Sequence, residues 1–309
     1  MSDRLTATGC ELVAAEKAIA EIEWLGGSVM YAHTSPDRPV ISVSLAGTAV
    51  TDAGLEHLRG LPRLRRLWLL YTRVTGTGLE HLQVLTELRE LDLSDTAVTD
   101  AGLAHLKGLP RLQELHLGAT QVTDAGLEHL PGLTELRELS LTGTKVTDAG
   151  LVHLKGLAQL QRLDLSSTRV TDTGLEHLQG LPQLQRLDLS VTQVTDAGLE
   201  HLKGLTQLQT LDLPGNKVTG AGLVHLKGLT HLQRLGLSGT QLTDAGLVHL
   251  KGWTRLTALQ LSYTAVTDAG LVHLQGLNQL EVVTLFGSKV TDAGVKQLEK
   301  ALTKVTVKR

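Results

Sequence analysis

The chain has 309 residues, a formal net charge of −3 and only 2% aromatic residues. A net negative charge argues against binding of a nucleic acid, which needs a basic surface. No run approaches the roughly 18 apolar residues that a membrane-spanning helix needs. Its one cysteine, Cys10, excludes an intramolecular disulfide, and the first residues lack the basic head and apolar run of a signal peptide. A reducing, cytoplasmic location is therefore expected.

Residues 1–39 differ from the rest of the chain and are predicted to form an N-terminal helix–strand cap. A helix is expected over 8–25, ending at Gly26 and Gly27, followed by a strand in "SVMYAH" and a turn in "TSPDRP". Terminal units of stacked repeats must cover an open apolar end, which gives this segment its role. The apolar residues at helical spacing are Leu12, Ala15, Ile19, Ile22 and Leu25.

From Val40 onward the sequence repeats every 24 residues as LxxLxLxxTxVTDAGLxHLxGLxx. The phrase "VTDAGLEHL" of residues 50–58 recurs in eleven versions, and no insertion interrupts the spacing up to Val290. Alternating residues such as Leu91 and Leu93 predict a short strand, which in the first repeat covers 40–45. Leu55 and Leu58 stand at helical spacing, and Thr51 or Asp52 is expected to cap that helix.

One strand and one short helix per repeat cannot bury their own leucines, so the repeats are expected to stack. Strands pair about 4.8 Å apart, whereas packed helices need about 8–10 Å. This mismatch predicts an α/β solenoid with a curved parallel sheet inside and short helices outside, over residues 40–297. Residues 298–309 are expected to form a C-terminal cap strand around Val305 and Val307.

This pattern resembles the leucine-rich repeat family over residues 40–309. The "VTDAGL" half is closest to the cysteine-containing type of F-box and ribonuclease-inhibitor-like proteins, in the 24-residue form found in bacteria. That type carries cysteine or asparagine after the strand, whereas this chain carries mostly threonine there, and we expect the hydroxyls to satisfy buried amides of the next turn. The column is Thr48, Thr72, Thr96, Thr120, Thr144, Thr168, Thr192, Asn216, Thr240, Thr264 and Ser288.

Two further columns could suggest chemistry. Single histidines on separate helices do not converge on one ion, so the histidine row is interpreted as structural. The aspartates of "TDAG" are interpreted as helix caps. No catalytic grouping, metal site or cofactor motif stands apart from the repeat. The histidines are His57, His81, His105, His129, His153, His177, His201, His225, His249 and His273.

The residues that determine binding specificity are expected at the strand positions that face outward on the inner surface, because the repeats differ from one another at these positions. Exposed aromatic rings favour partner contacts. We expect Trp68, Leu70 and Tyr71 to lie together on one strand, with Tyr263 and Phe286 on neighbouring strands near the far end. An alternative has the N-terminal cap folding over Trp68.

Charges next to these rings add a second feature. An acidic patch is expected to steer a partner with a basic surface, and His116 lies in the same outward column. In later repeats Arg162, Arg186 and Arg234 alternate with aspartates, which predicts a self-paired, solvated surface. The acidic patch comprises Glu90, Asp92, Asp95, Glu114 and Glu138.

These observations predict a monomeric, non-catalytic scaffold that binds another protein on the concave sheet face. The resemblance implies two narrower alternatives: a substrate-recognition subunit or effector of a ubiquitin-ligase-like assembly, and a ligand-sensing receptor domain. A GTPase-activating enzyme, a third alternative, would need an arginine on the inner rim, and no residue is marked out for that role. The near-identity of the copies fits either recent repeat expansion or consensus engineering.

Overall fold

In the computed structural model, each repeat forms one short strand followed by a short helical segment. The structure describes residues 2–33 and 38–309, with backbone alone for 2–11. The predicted "TSPDRP" turn falls largely on residues 34–37, outside the described residues. The chain divides into two compact units, Met1–Lys145 and Val146–Arg309.

The described residues of the first unit form six strands. Strand β1 pairs antiparallel with β2, and β2 to β6 are parallel in chain order. Equivalent residues of successive repeats stand side by side, so Leu67 is opposite Leu91 and Leu91 is opposite Leu115. The strands are β1 Ser28–Tyr31, β2 Val40–Ser44, β3 Arg66–Trp68, β4 Glu90–Asp92, β5 Glu114–His116 and β6 Glu138–Ser140.

The second unit repeats this plan with seven strands. These strands run parallel and in register, with Leu211 between Leu187 and Leu235. The strands are β7 Arg162–Asp164, β8 Arg186–Asp188, β9 Thr210–Asp212, β10 Arg234–Gly236, β11 Ala258–Gln260, β12 Val282–Thr284 and β13 Thr306–Lys308.

Most of the helical segments are short. The prediction of a helix over "TDAGLEHL" is confirmed in outline, but six repeats form only a single α-helical turn over the DAGL segment, and five of these continue in 3₁₀ geometry. The 3₁₀ form rises about 2 Å per residue, against 1.5 Å in an α-helix, so fewer residues return the chain to the next strand. The α-helices are α1 Ser2–Trp24, α2 Asp52–Leu55, α3 Asp100–Leu103, α4 Asp124–Leu127, α5 Asp148–Leu151, α6 Asp244–Leu247, α7 Asp268–Leu271 and α8 Asp292–Ala301. The 3₁₀ segments are Glu56–Gly60, Thr77–Val84, Ala104–Gly108, Val152–Gly156, Gly174–Gly180, Gly198–Leu202, Gly222–Leu226, Val248–Gly252 and Val272–Leu274.

Within each unit the core lies between the sheet and the helical segments. Leu67 is fully buried while Arg66 and Trp68 on either side of it are partly exposed, and the same alternation recurs in later strands. Side chains alternate between the two faces of a strand, so the central leucines enter the core and their neighbours form a free sheet face. This is the leucine-rich-repeat α/β arrangement that the period predicts.

The N-terminal helix packs on the helical side of the first unit. Ile22 and Ala18 are buried, whereas Leu12, predicted to face the core, is 62% exposed. Helix α1 lies against Glu56–Gly60, and a Cβ on Gly60 would come within 2.6 Å of the Ala14 carbonyl oxygen. At the other end of the chain, α8 runs across the predicted 297/298 boundary, and β13 contains Val307 but starts after Val305.

The threonine column bonds mainly within its own repeat, except that Thr192 Oγ1 also donates to Asn216 Oδ1 of the next repeat at 2.9 Å. Thr72 Oγ1 donates to the Leu69 carbonyl at 2.6 Å, and the same i to i−3 bond recurs at Thr96. The prediction that these hydroxyls satisfy amides of the next turn holds at Thr48 and Ser288, which accept from the Val50 and Val290 amides at 3.4 Å. At the other threonines the hydrogen bond runs back to a carbonyl. Asn216 is longer, and its Nδ2 also reaches the Leu189 carbonyl of the preceding repeat at 2.7 Å.

The aspartates of "TDAG" cap the following repeat, not their own. Asp52 accepts from the Thr75 amide at 2.7 Å and from Thr75 Oγ1 at 2.5 Å, and Thr77 Oγ1 also donates to it. Burial opposes ionisation of Asp52, but these hydrogen bonds outweigh it and hold the pKa of its carboxyl below the usual range. The expectation that each aspartate caps its own helix is therefore corrected: the carboxylate joins two repeats.

Two repeats lack this aspartate, and glycine takes its place. Gly76 lies against Gly102, and Gly220 against Gly246, so close that a Cβ on Gly220 would be 2.3 Å from the Gly246 Cα. Repeats without the carboxylate are thus joined by direct backbone approach.

Candidate protein-binding surface

The free sheet face of the first unit carries the variable column predicted from the sequence. Parallel pairing places Trp68 opposite Asp92, and Asp92 opposite His116. All three are half-buried. Glu114, two residues before His116 and on the same face of β5, is half-buried as well. The register therefore brings four of the predicted site residues onto one surface.

Trp68 is held by its strand neighbours. Its Nε1 donates to Glu90 Oε1 at 2.6 Å, and the Arg66 guanidinium carbon lies 5.9 Å from the ring centroid. This spacing is that of a cation–π contact. Helix α1 packs on the helical segment Glu56–Gly60, across the core from this ring, so the helix of the N-terminal cap does not cover Trp68. Residues 34–37 of the cap lie outside the described residues.

Leu70 and Tyr71 lie in the turn after β3, not on the strand as predicted, since β3 ends at Trp68. Tyr71 has a left-handed backbone, with φ of 57°, and its side chain is 64% exposed. Such a conformation costs a non-glycine residue about 1–2 kcal/mol. It is the repeat's own turn geometry, and it recurs in the first unit at Gly47, Tyr71, Asp95, Ala119 and Gly143.

The predicted acidic patch is less uniform than its sequence indicates. Asp92 Oδ1 accepts from the Ser94 amide at 2.9 Å, and Glu90 is bonded to Trp68. Asp95 is exposed, on the same left-handed turn position as Tyr71.

Sequence reasoning missed three arginines at the start of these strands. Arg65, Arg66 and Arg89 line a cavity of about 310 Å³ together with Glu90 and Glu114. The sequence could have indicated this cluster, because positions 65–66 and 89–90 are equivalent in successive repeats and charged in both. Equivalent residues of repeats in register stand side by side at one edge of the sheet.

Tyr263 and Phe286 belong to the second unit and also lie in turns, after β11 and β12, not on strands as predicted. Their side chains are 71% and 45% exposed, and Tyr263 has φ of 57°. Its ring covers the backbone of Gly287, where a Cβ would be 2.5 Å from Tyr263 Cδ1. They form an aromatic area of their own.

The charged sheet face of the second unit contains a direct ion pair, in accord with the predicted self-pairing, but Asp212 is buried and not solvated as expected. Arg234 Nε lies 3.4 Å from Asp212 Oδ1. Asp188 accepts from the Ser190 amide, whereas the residue two after Asp212 is Pro214, which has no amide hydrogen to offer. Burial raises the pKa of the Asp212 carboxyl, which the Arg234 charge partly opposes.

The histidine row bonds locally. His81 Nε2 lies 3.8 Å from its neighbour Glu80, and Gln83 Nε2 lies 2.8 Å from His105 Nδ1. Over residues 2–33 and 38–309, no three histidine, cysteine, aspartate or glutamate side chains cluster as metal ligands would. In the same residues, no helix is both long and apolar enough to cross a bilayer.

Comparison with known proteins agrees with this architecture. The family model for a leucine-rich repeat region matches residues 45–308. The crystal structure of an internalin (inlF) from Listeria monocytogenes is similar in fold, with a TM-score of 0.65, 22% identity, and coverage of 95% of this chain and 93% of that one. No curated protein matches the sequence. A family match over most of the length, together with in-register strands and buried leucines, shows that the chain belongs to the leucine-rich repeat family.

Proposed function

We propose that this protein is a non-catalytic binding module whose protein partner docks on the sheet face of the first unit. The docking area comprises Trp68, Leu70, Tyr71, Asp92, Asp95, Glu114 and His116. The observation that carries the proposal is the exposure of Tyr71, a large aromatic residue that is 64% exposed on a left-handed turn. Exposed aromatic rings are enriched among the residues that dominate binding energy at protein interfaces.

The neighbourhood of Tyr71 suits partner recognition. Trp68 is oriented by Glu90 and Arg66, so a partner meets a ring that is already fixed. Preorganised aromatic side chains lose little entropy on binding and dominate many interfaces. Asp95, exposed in the next turn, supplies a negative charge that would attract a basic part of the partner.

A second contact area is proposed at Tyr263 and Phe286 in the other unit. The specific observation is that Tyr263 repeats the Tyr71 geometry, with the same φ of 57° and a more exposed ring.

The two narrower functions, a ubiquitin-ligase substrate-recognition subunit and a ligand-sensing receptor domain, would each use this binding surface. At 22% identity the internalin resemblance is one of fold, so it favours neither a ubiquitin-ligase substrate-recognition subunit nor a ligand-sensing receptor domain. The single cysteine favours a reducing compartment.

The test separates binding from stability at one position. Tyr71→Gly removes the ring and relieves the left-handed backbone, so we expect the free energy of unfolding to stay the same or rise by about 1 kcal/mol. Tyr71→Ala removes the ring and keeps the strained backbone. Both variants should lose the proteins captured from a native lysate, and a photo-crosslinking residue at position 71 should label the same proteins.

Val191→Ala is the matched control, because Val191 occupies the same left-handed turn position and is 61% exposed in the second unit. It should retain full capture. If Tyr71→Gly captures as much as the wild type, or if it unfolds more easily, the ring is not a binding residue and the proposal fails.

A further inference from the structure

A cavity at the start of strands β2 to β5 has a wall suited to one negative charge. Its volume is about 310 Å³, at the lower end of the range for small-ligand sites. Three arginines and two glutamates give the wall a formal charge of +1, and Ile41 adds an apolar side. The lining is Ile41, Arg65, Arg66, Arg89, Glu90, Gln113 and Glu114.

The guanidinium groups of this cavity differ in how they are used. Arg66 packs over the Trp68 ring, and Glu90 accepts the Trp68 Nε1 hydrogen bond. Arg65 and Arg89 are exposed, and within the described part of the chain their guanidinium groups have no hydrogen bond or ion pair. The next residue of their column, Gln113, turns its amide toward Glu135 at 3.3 Å. Two neighbouring cationic donors are therefore available to a ligand.

We propose that this cavity binds a single carboxylate, supplied by an acidic side chain of the protein partner. Planar guanidinium groups pair with carboxylates through two parallel hydrogen bonds. The two glutamates of the wall limit the favourable charge to one, which suits a monoanionic carboxylate better than a dianionic phosphate. This inference rests on the proposed function, since it names a chemical feature of the partner that docks beside Trp68.

The cavity and the aromatic ring are coupled, which provides a readout. A carboxylate bound by Arg65 and Arg89 lies next to Arg66 and Glu90, the two groups that contact Trp68. Tryptophan fluorescence should therefore change on binding. Trp24 is 81% exposed and is replaced by phenylalanine in every protein used, while Trp253, 1% exposed in the second unit, gives a constant background.

The experiment titrates the full chain with blocked tripeptides, acetyl-Glu-Gly-Gly-amide and its Gln, Lys and phosphoserine counterparts. We expect saturation with the Glu peptide alone, at a Kd on the order of 1 mM. Arg65→Gln and Arg89→Gln should each weaken it about tenfold or more. Arg137→Gln is the matched control, because Arg137 is an exposed arginine of the same column that does not line the cavity.

Unchanged melting curves show that each variant is folded. Equal binding of the Gln or Lys peptide, tighter binding of phosphoserine, a loss equal in Arg137→Gln, or no saturable signal would each overturn the carboxylate assignment. The peptides do not need the native partner, so this result is independent of the docking test. If the Glu peptide binds while Tyr71→Gly keeps its lysate partners, the cavity assignment stands and the docking area is wrong.

Discussion

The aspartates of the "TDAG" segments are the residues that join one repeat to the next. Asp148 accepts from the Thr171 amide at 2.7 Å, from Thr171 Oγ1 at 2.6 Å and from Thr173 Oγ1 at 2.6 Å. Burial opposes the negative charge, but these donors outweigh it and lower the pKa of Asp148. In Asp268 the Thr291 hydroxyl is the main cause of the lowered pKa.

The first prediction is that Asp148→Asn destabilises the protein by about 1 kcal/mol at pH 7, the scale of one hydrogen bond. A carboxylate with a lowered folded pKa stabilises the fold above its unfolded pKa of about 3.9, and this stabilisation is lost as the pH falls through the folded value. The difference from the wild type should therefore shrink below about pH 4. Urea unfolding at pH 7, 5 and 3.5 measures it.

Glu299→Gln is the control, since Glu299 is an exposed acid on α8. It should show no comparable difference at any of these pH values. A gap between Asp148→Asn and the wild type that is equally large at pH 7 and pH 3.5 would mean that the charge of Asp148 contributes nothing.

At this scale the sequence predicted the residue types but not their partners. The "TDAG" aspartate stands at a helix start, and local sequence cannot distinguish a cap for its own helix from one for the helix 24 residues on. Tyr71 gave a similar ambiguity. Tyr71 is exposed because it lies in a left-handed turn. The sequence indicates this turn only in the repeats where glycine occupies the equivalent position, at Gly47, Gly143, Gly215, Gly239 and Gly287.

Among the structural elements, the short helical segments depend on the glycine of "DAG" or "DTG". This glycine lies directly against the aspartate of the preceding repeat. A Cβ on Gly174 would be 2.3 Å from Asp148 Oδ1, and one on Gly198 would be 2.4 Å from Asp172 Oδ1. The helix of one repeat can therefore approach the carboxylate of the previous repeat only where no side chain intervenes.

The second prediction is that Gly174→Ala lowers the free energy of unfolding by about 1–3 kcal/mol, the usual cost of an added buried methyl group. The change runs against local propensity, because alanine favours a helix over glycine. Chemical unfolding gives the measurement. Gly204→Ala is the control, since nothing lies within 4 Å of its Cβ position, and it should stay within about 0.5 kcal/mol of the wild type.

The strands and helical segments followed from periodicity more closely than the caps did. The leucine alternation places Leu67 and Leu69 in the core, both fully buried. The N-terminal cap lacks a repeat to fix its phase, and there Leu12 is exposed while Ala18 is buried. A helix whose neighbours differ on each side cannot be oriented from its own spacing alone.

At the scale of the whole molecule, each unit is a series of contacts between adjacent repeats. In the second unit the Leu189 amide donates to the Asp212 carbonyl, and the Leu213 amide donates to the Gly236 carbonyl. Stability in such an array is approximately a sum of repeat and interface contributions. A defect in one repeat should accordingly weaken the repeats on either side of it.

The last prediction tests this coupling with Leu211→Ala in β9, between β8 and β10. Leu211 is fully buried, so the change should cost about 2–5 kcal/mol. Hydrogen exchange should accelerate in β8 and β10 as well as in β9, because the cavity lies against Leu187 and Leu235, its partners in register. Val224→Ala, on a side chain 40% exposed, should change neither stability nor exchange by a comparable amount. Faster exchange confined to β9, with both neighbours unchanged, would show that the repeats unfold independently and that the hydrogen bonds between them do not carry the cooperativity assigned to them.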